Sequence, residues 1–181
     1  MMQAPPLDLT PEEFERHVRA LLDAMGSQLE DYRSNHLPAL AGTDGEYEVD
    51  VEVRFRALGG TFLVLVECKH HKSRIKREYV QVLNDKVRSL KAQKGMMFAT
   101  GGFQSGAIEY AKANGIALVH VWDGRTCYMA RARRDDPEEL IPWSRVPSSI
   151  PPVVGWLQVG NTMSLLTEWD AKSLAEFVTA A

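Results

Sequence analysis

The sequence predicts an α/β fold: a sheet whose central strand is covered on both sides, with part of its pairing parallel. Three observations point there. Thr61-Phe62-Leu63-Val64-Leu65-Val66 is apolar on both faces, as a strand buried from both sides requires. Segments of helical period alternate with segments of strand period. Strands joined through helices then imply some parallel pairing.

The first helix has a clear start. Thr10 suits the N-cap, Pro11 the first helical position and Glu13 the third, which together make a capping box, and Gly26 ends the helix. Phe14, Val18, Leu21, Leu22 and Met25 form its apolar stripe. Glu15 borders that stripe, about 20° from Leu22 around the helix, and so leans toward the edge of the core. Residues 27–45 carry Leu29, Tyr32, Leu37 and Leu40 without a decisive period, compatible with a strand, a helical turn or a packed loop. From Tyr47, an apolar set (Tyr47, Val49, Val51, Val53, Phe55) alternates with Glu46, Glu48, Asp50, Glu52, Arg54 and Arg56, the pattern of a half-buried strand. Gly59-Gly60 turns the chain into the central strand, which runs into Glu67-Cys68-Lys69.

Beyond a basic loop, Tyr79, Val82, Leu83, Val87 and Leu90 trace an amphipathic helix closed by Gly95. Met96 to Thr100 reads as a strand, Ser105 to Asn114 as a short helix, Ile116 to Trp122 as a strand, and Thr126 to Ala132 as another after the Asp123-Gly124 turn. The composition shifts beyond Asp136. Residues 1–136 are therefore expected to form one domain. Residues 137–181, with prolines at 142, 147, 151 and 152 and a helix-like piece from Asp170 to Thr179, are expected to form an appended arm that joins a partner protein or a second copy. Trp143 and Trp156 in that stretch read as packing residues.

The net charge of −3 argues against a protein coated in positive charge, but one patch is strongly basic: Lys69-His70-His71-Lys72-Ser73-Arg74-Ile75-Lys76-Arg77. Cys68 and Cys127 lack zinc-site spacing and read as reduced thiols. The opening residues have no signal-peptide pattern and no apolar run is long enough to span a bilayer, so a cytoplasmic protein without membrane association is expected.

Residues two apart on a strand share a face, so Glu67 and Lys69 project together and Cys68 points away. A two- or four-residue loop centred on Leu58-Gly59 sets Asp50 opposite Glu67; one centred on Gly59-Gly60 sets it opposite Lys69. Either register gathers Asp50, Glu67 and Lys69 on one face, whereas a three-residue loop would scatter them. Taken alone, Glu-X-Lys on a strand reads as an exposed ion pair. With Asp50 beside it and a cationic loop following, the set suits Mg2+, which needs only one or two carboxylates, with Lys69 facing a phosphate. That is the chemistry of phosphodiester hydrolysis.

These residues resemble a known family. Asp50 followed by Glu67-Cys68-Lys69 at the end of an apolar strand looks like the signature of the PD-(D/E)XK nuclease superfamily. Phe14-Glu15, Val66 to His70, and Ala99-Thr100-Gly101-Gly102-Phe103 with Ala107 and Ala111 are similar to Mrr-like restriction endonucleases. The resemblance runs from about Leu9 to Trp122, with Val49 where the pattern has proline. It implies a restriction-endonuclease-like core, a mixed sheet with helices on both faces. It also implies a metal held by Asp50, Glu67 and the Cys68 carbonyl, with Glu15 reaching the ion directly or through water; Glu15 reads equally as an exposed helix acid. The expected cofactor is Mg2+, with Mn2+ as substitute, and the expected substrate is DNA, cut in restriction of foreign DNA or in repair or junction resolution. The rival readings are a nuclease-fold subunit that binds nucleic acid without cutting and an interaction subunit.

Lys72, Arg74, Lys76 and Arg77, with His70 and Thr100, are the expected nucleic-acid contacts, Thr100 through the amides of the Thr100-Gly101-Gly102 turn. A compact cationic loop suits phosphates rather than base edges, so binding is expected to be largely blind to sequence. His70 and His71 diverge on an extended chain, which disfavours a shared metal, and His17, His36 and His120 read as surface or structural histidines.

Overall fold

The computed structural model describes residues 9–123 and the strands at 153–159 and 162–166. In chain order the elements are α1 (Pro11–Gly26), β1 (Glu30–His36), β2 (Ala39–Ala41), β3 (Glu46–Glu48), β4 (Val51–Ala57), β5 (Gly60–Lys69), α2 (Arg77–Ser89), β6 (Lys94–Ala99), α3 (Ser105–Asn114), β7 (Ile116–Asp123), β8 (Val153–Val159) and β9 (Thr162–Leu166). A seven-stranded sheet runs β1-β4-β5-β6-β7-β8-β9, and β2 and β3 form a separate ribbon. The β5–β6 and β6–β7 pairs are parallel, each crossed by a helix, and the remaining pairs of the large sheet are antiparallel.

Alternation along the strands divides the core between the two faces of the sheet. Phe14, Val18, Leu22 and Met25 of α1 pack on Val51, Val53, Phe55, Val64, Val66, Cys68, Met96, Phe98 and Val119. Val80 and Leu83 of α2 and Ala107 and Ala111 of α3 pack on Leu63, Leu65, Met97, Ala99 and Leu118. Helices thus cover both faces of a mixed sheet. The expected capping box closes α1: the Thr10 amide donates to Glu13 Oε2 at 2.7 Å and the Glu13 amide to Thr10 Oγ1 at 3.2 Å.

The long strand expected from Tyr47 to Phe55 is broken at Val49-Asp50. Val49 packs with the α2 and α3 layer while Val51 packs with α1, although a continuous strand would put both on one face. The amides of Leu37 and Val49 donate to the Asp50 and Pro38 carbonyls at 3.0 and 3.4 Å, so the chain ahead of Asp50 is held by the β1–β2 segment. Residues 27–45, undecided from sequence, supply β1 and β2; β1 pairs along β4 and bulges between Glu30 and Arg33. On α2 the buried side chains are Val80, Leu83, Asn84 and Ser89, and Tyr79 and Val82 of the expected stripe are exposed. The stretch expected to be an appended arm supplies β8 and β9, with β8 laddered along β7 and β9 along β8, because backbone pairing there does not depend on the proline-rich composition that suggested the arm. The expected strand at Thr126 to Ala132 and helix at Asp170 to Thr179 lie outside the described residues, as do Cys127 and Trp143.

Candidate active site

The β4–β5 hairpin turns on Leu58-Gly59, both with positive φ (52° and 79°), the combination whose twist matches paired strands. The ladder runs from Ala57↔Gly60 to Val51↔Val66, and one further step sets Asp50 opposite Glu67. This is the first of the two registers open from sequence.

Glu67 is buried, its side chain 8 % exposed, on the face covered by α2. Each of its oxygens accepts from a different ammonium: Lys69 Nζ donates to Oε2 at 2.8 Å and Lys86 Nζ to Oε1 at 2.6 Å. Asp50 Oδ2 accepts the Cys68 amide at 2.6 Å and lies 3.6 Å from Lys69 Nζ. The Cys68 thiol turns into the α1-side core, where burial above all, then Asp50, pushes it well above its ordinary pKa; it is inert. Burial holds the Asp50 carboxyl above the usual aspartate value, reinforced by Glu67 and opposed by the Cys68 amide and Lys69. For Lys69, burial pulls the pKa down, but the charge and hydrogen bond of Glu67, then Asp50, outweigh it and leave the ammonium above its ordinary value. Lys69 is therefore charged at neutral pH.

Glu15 reaches the same end of the sheet from α1. Its Oε2 lies 2.9 Å from His36 Nε2 on β1, both side chains mostly buried, and its charge contributes to the upward shift of Asp50. Glu15 is thus neither fully exposed nor free. Lys86 and His36 are the two groups at this site that sequence reasoning missed. Lys86 has a signal in retrospect, a lysine one turn from both Leu83 and Leu90 in an apolar stripe. The partner of His36 is apparent only once β1 lies beside α1.

Lys72, Arg74 and Lys76 are exposed on the loop after β5, and Arg77 is exposed at the first position of α2. The loop is pinned from beneath. Ile75 is buried and bridges Phe103, its amide donating to the Gly102 carbonyl at 2.9 Å, and Thr100 Oγ1 donates to the His71 carbonyl at 3.0 Å. A Cβ on Gly101 would overlap the Ser73 and His71 carbonyl oxygens, so the loop can lie this close only over glycine. Two expected nucleic-acid contacts are placed differently. Thr100 lies under the loop, its amide donating to the Lys69 carbonyl at 3.2 Å and its hydroxyl taken by His71. The His70 ring tilts against Phe14 at 5.6 Å, and its Nε2 is buried without a hydrogen-bond partner among the described residues. Arg77 lies over the Tyr110 ring at 5.0 Å.

Among the described residues no cluster of three or more His, Cys, Asp or Glu side chains is preformed for a metal. A site of two carboxylates and a backbone carbonyl fits a hard cation that keeps several waters, as Mg2+ does, and does not fit the nitrogen and sulfur donors that zinc prefers. No helix among the described residues is long and apolar enough to cross a membrane.

No curated protein matches the chain. Among solved structures, a protein of unknown function, AF1548, superimposes with a TM-score of 0.48 at 17 % identity, over 59 % of this chain and 55 % of that one. The sequence profile of the restriction endonuclease family, that of the Mrr-type catalytic domain, matches residues 7–126, which include α1, the hairpin carrying Asp50, Glu67 and Lys69, and the parallel strands beyond it. The chain belongs to the restriction endonuclease family, with an Mrr-like nuclease domain as its core.

Proposed function

We propose that this protein is a divalent-metal-dependent DNA endonuclease acting in restriction of foreign DNA, with Asp50, Glu67 and Lys69 as its catalytic set. The observation that carries the reading is the juxtaposition of two carboxylates and a charged lysine at the end of β5, beside an exposed cationic loop. Asp50, Glu67 and the Cys68 carbonyl would hold Mg2+, or Mn2+ in its place, and Glu15 would reach it directly or through water. When bound, such an ion supplies Lewis-acid polarisation of the scissile phosphate and a water of lowered pKa. The remaining work falls to the chain. Lys69 keeps its proton and faces charge developing on the phosphate oxygens. The Cys68 amide orients Asp50, and Lys72, Arg74, Lys76 and Arg77 bind the backbone of the duplex.

Purified protein incubated with supercoiled plasmid should nick or linearise it with Mg2+ or Mn2+ and leave it intact with chelator. Asp50→Ala, Glu67→Ala and Lys69→Ala should each abolish cleavage. Wild-type cleavage by Glu67→Ala would overturn the assignment. Binding without cutting by the wild type, with metal present, would favour the reading of a non-cleaving subunit. Neutralising these four cations should weaken binding to unrelated duplexes alike, lowering the slope of log K against log salt by roughly one per lost phosphate contact.

A further inference from the structure

Lys86 is an unexpected partner for Glu67. It comes from α2, in the layer that covers the sheet, and its side chain is 17 % exposed. Its ammonium donates to Glu67 Oε1 at 2.6 Å and also to the Glu48 carbonyl at 2.7 Å, two residues ahead of Asp50. One cation thus ties three pieces together: the covering helix, the acid on β5, and the bend at Val49-Asp50 that delivers the second acid. Stability alone does not account for this choice, since a well-packed apolar side chain commonly serves a covered site as well as an ion pair does or better. The charge has a further effect. With Lys69 on the other oxygen, Glu67 faces two fixed positive charges, which oppose the approach of any added cation.

We propose that Lys86 is a positioning residue of the catalytic centre, fixing Glu67 and the Glu48–Asp50 bend as one unit while weakening the site's hold on its divalent ion. The inference rests on the functional reading above. A residue of this kind makes an uncommon pair of predictions: its removal should tighten metal binding and slow the reaction. A side chain that merely props the helix would lose both together.

The test uses full-length protein and two variants. Lys86→Met keeps most of the stem and removes the charge; Lys86→Arg keeps the charge. Mn2+ affinity is measured by direct titration without DNA, and single-turnover plasmid cleavage at saturating Mn2+. Lys86→Met should bind Mn2+ about tenfold tighter or more, because a like charge has been removed from beside the ligand. Its cleavage should slow by about a hundredfold, as expected when a reacting group is misplaced. Lys86→Arg should keep wild-type Mn2+ affinity and recover most of the rate. Unchanged affinity and rate in Lys86→Met, or loss of both, would overturn the inference. Asp50→Ala separates this failure from that of the underlying reading. If Asp50→Ala abolishes Mn2+ binding while Lys86→Met matches wild type, only the role of Lys86 falls. If the wild type binds no Mn2+, or Asp50→Ala binds it equally, the metal site falls and Lys86 with it.

Discussion

Replacing Glu67 by glutamine should destabilise the protein, even though it removes one of two neighbouring acids. Both oxygens of Glu67 accept from ammoniums, Lys69 at 2.8 Å and Lys86 at 2.6 Å. Glutamine keeps the shape but offers one acceptor and one NH2, so one of the two lysines meets a donor. Hydrogen bonds to charged groups contribute about 1.5–3 kcal/mol each. Two effects trim that loss: Lys69 can turn toward Asp50, now 3.6 Å away, and repulsion between Asp50 and Glu67 disappears. A net cost of about 2 kcal/mol follows, at the lower end of the range for charge-assisted bonds. In a chain of this length that lowers Tm by roughly 4–8 °C. Thermal unfolding followed by circular dichroism, at neutral pH with chelator present, measures it directly. An equal or higher Tm for Glu67→Gln would mean that repulsion from Asp50 outweighs the two ammoniums, and the reasoning would be wrong.

Asp50→Asn should behave in the opposite way. Because burial and Glu67 raise the Asp50 pKa in the folded protein, the native carboxyl holds its proton more tightly than in the unfolded chain. Stability therefore falls as pH climbs from the unfolded value, near 4, through the native one, and the loss persists above it. Asp50→Asn should unfold at a higher temperature than wild type at pH 7, with the gap closing toward pH 4; a lower Tm at pH 7 would contradict the shift. Leu58 is 97 % exposed at φ 52°, a conformation that costs a side chain without local polar partners about 1–2 kcal/mol. Leu58→Asn should recover about half of that cost and raise the urea midpoint, and a lower midpoint would argue against the turn. Gly101→Ala drives a methyl into the backbone beneath the cationic loop, so it should cost about 1–3 kcal/mol and weaken duplex binding in fluorescence anisotropy. Unchanged stability and binding would mean that the loop is not seated on this turn.

Much of this architecture is legible in local pattern. The capping box and apolar stripe of α1, the two-faced apolar run of β5, and the segments forming α3 and β7 depend on spacings within a few residues of one another, and each forms where its period predicts. The acids and Lys69 could be grouped for the same reason. A hairpin joins strands through a short turn, so pairing follows from loop length, and both plausible turns put Asp50 on the face of Glu67 and Lys69.

Tertiary structure decided the rest. The strand pattern from Tyr47 to Phe55 gave no sign of the break at Val49-Asp50, because the bonds that hold it, from the Leu37 amide to the Asp50 carbonyl and from the Val49 amide to the Pro38 carbonyl, tie it to the link between β1 and β2, beyond the alternation itself. β1 has few apolar residues and exists as a strand because β4 offers it an edge. His36 meets Glu15 across 21 residues and Lys86 meets Glu67 across 19, each from a different layer of the fold. His70, read as a phosphate contact from the basic run, and Thr100, read as one from the Thr100-Gly101-Gly102 turn, turn instead toward Phe14 and the underside of the loop. Backbone period and turn chemistry act over a handful of residues and leave a mark in the sequence. An ion pair between layers, or the choice of which way a loop side chain turns, is fixed by neighbours that only the packed chain brings within reach.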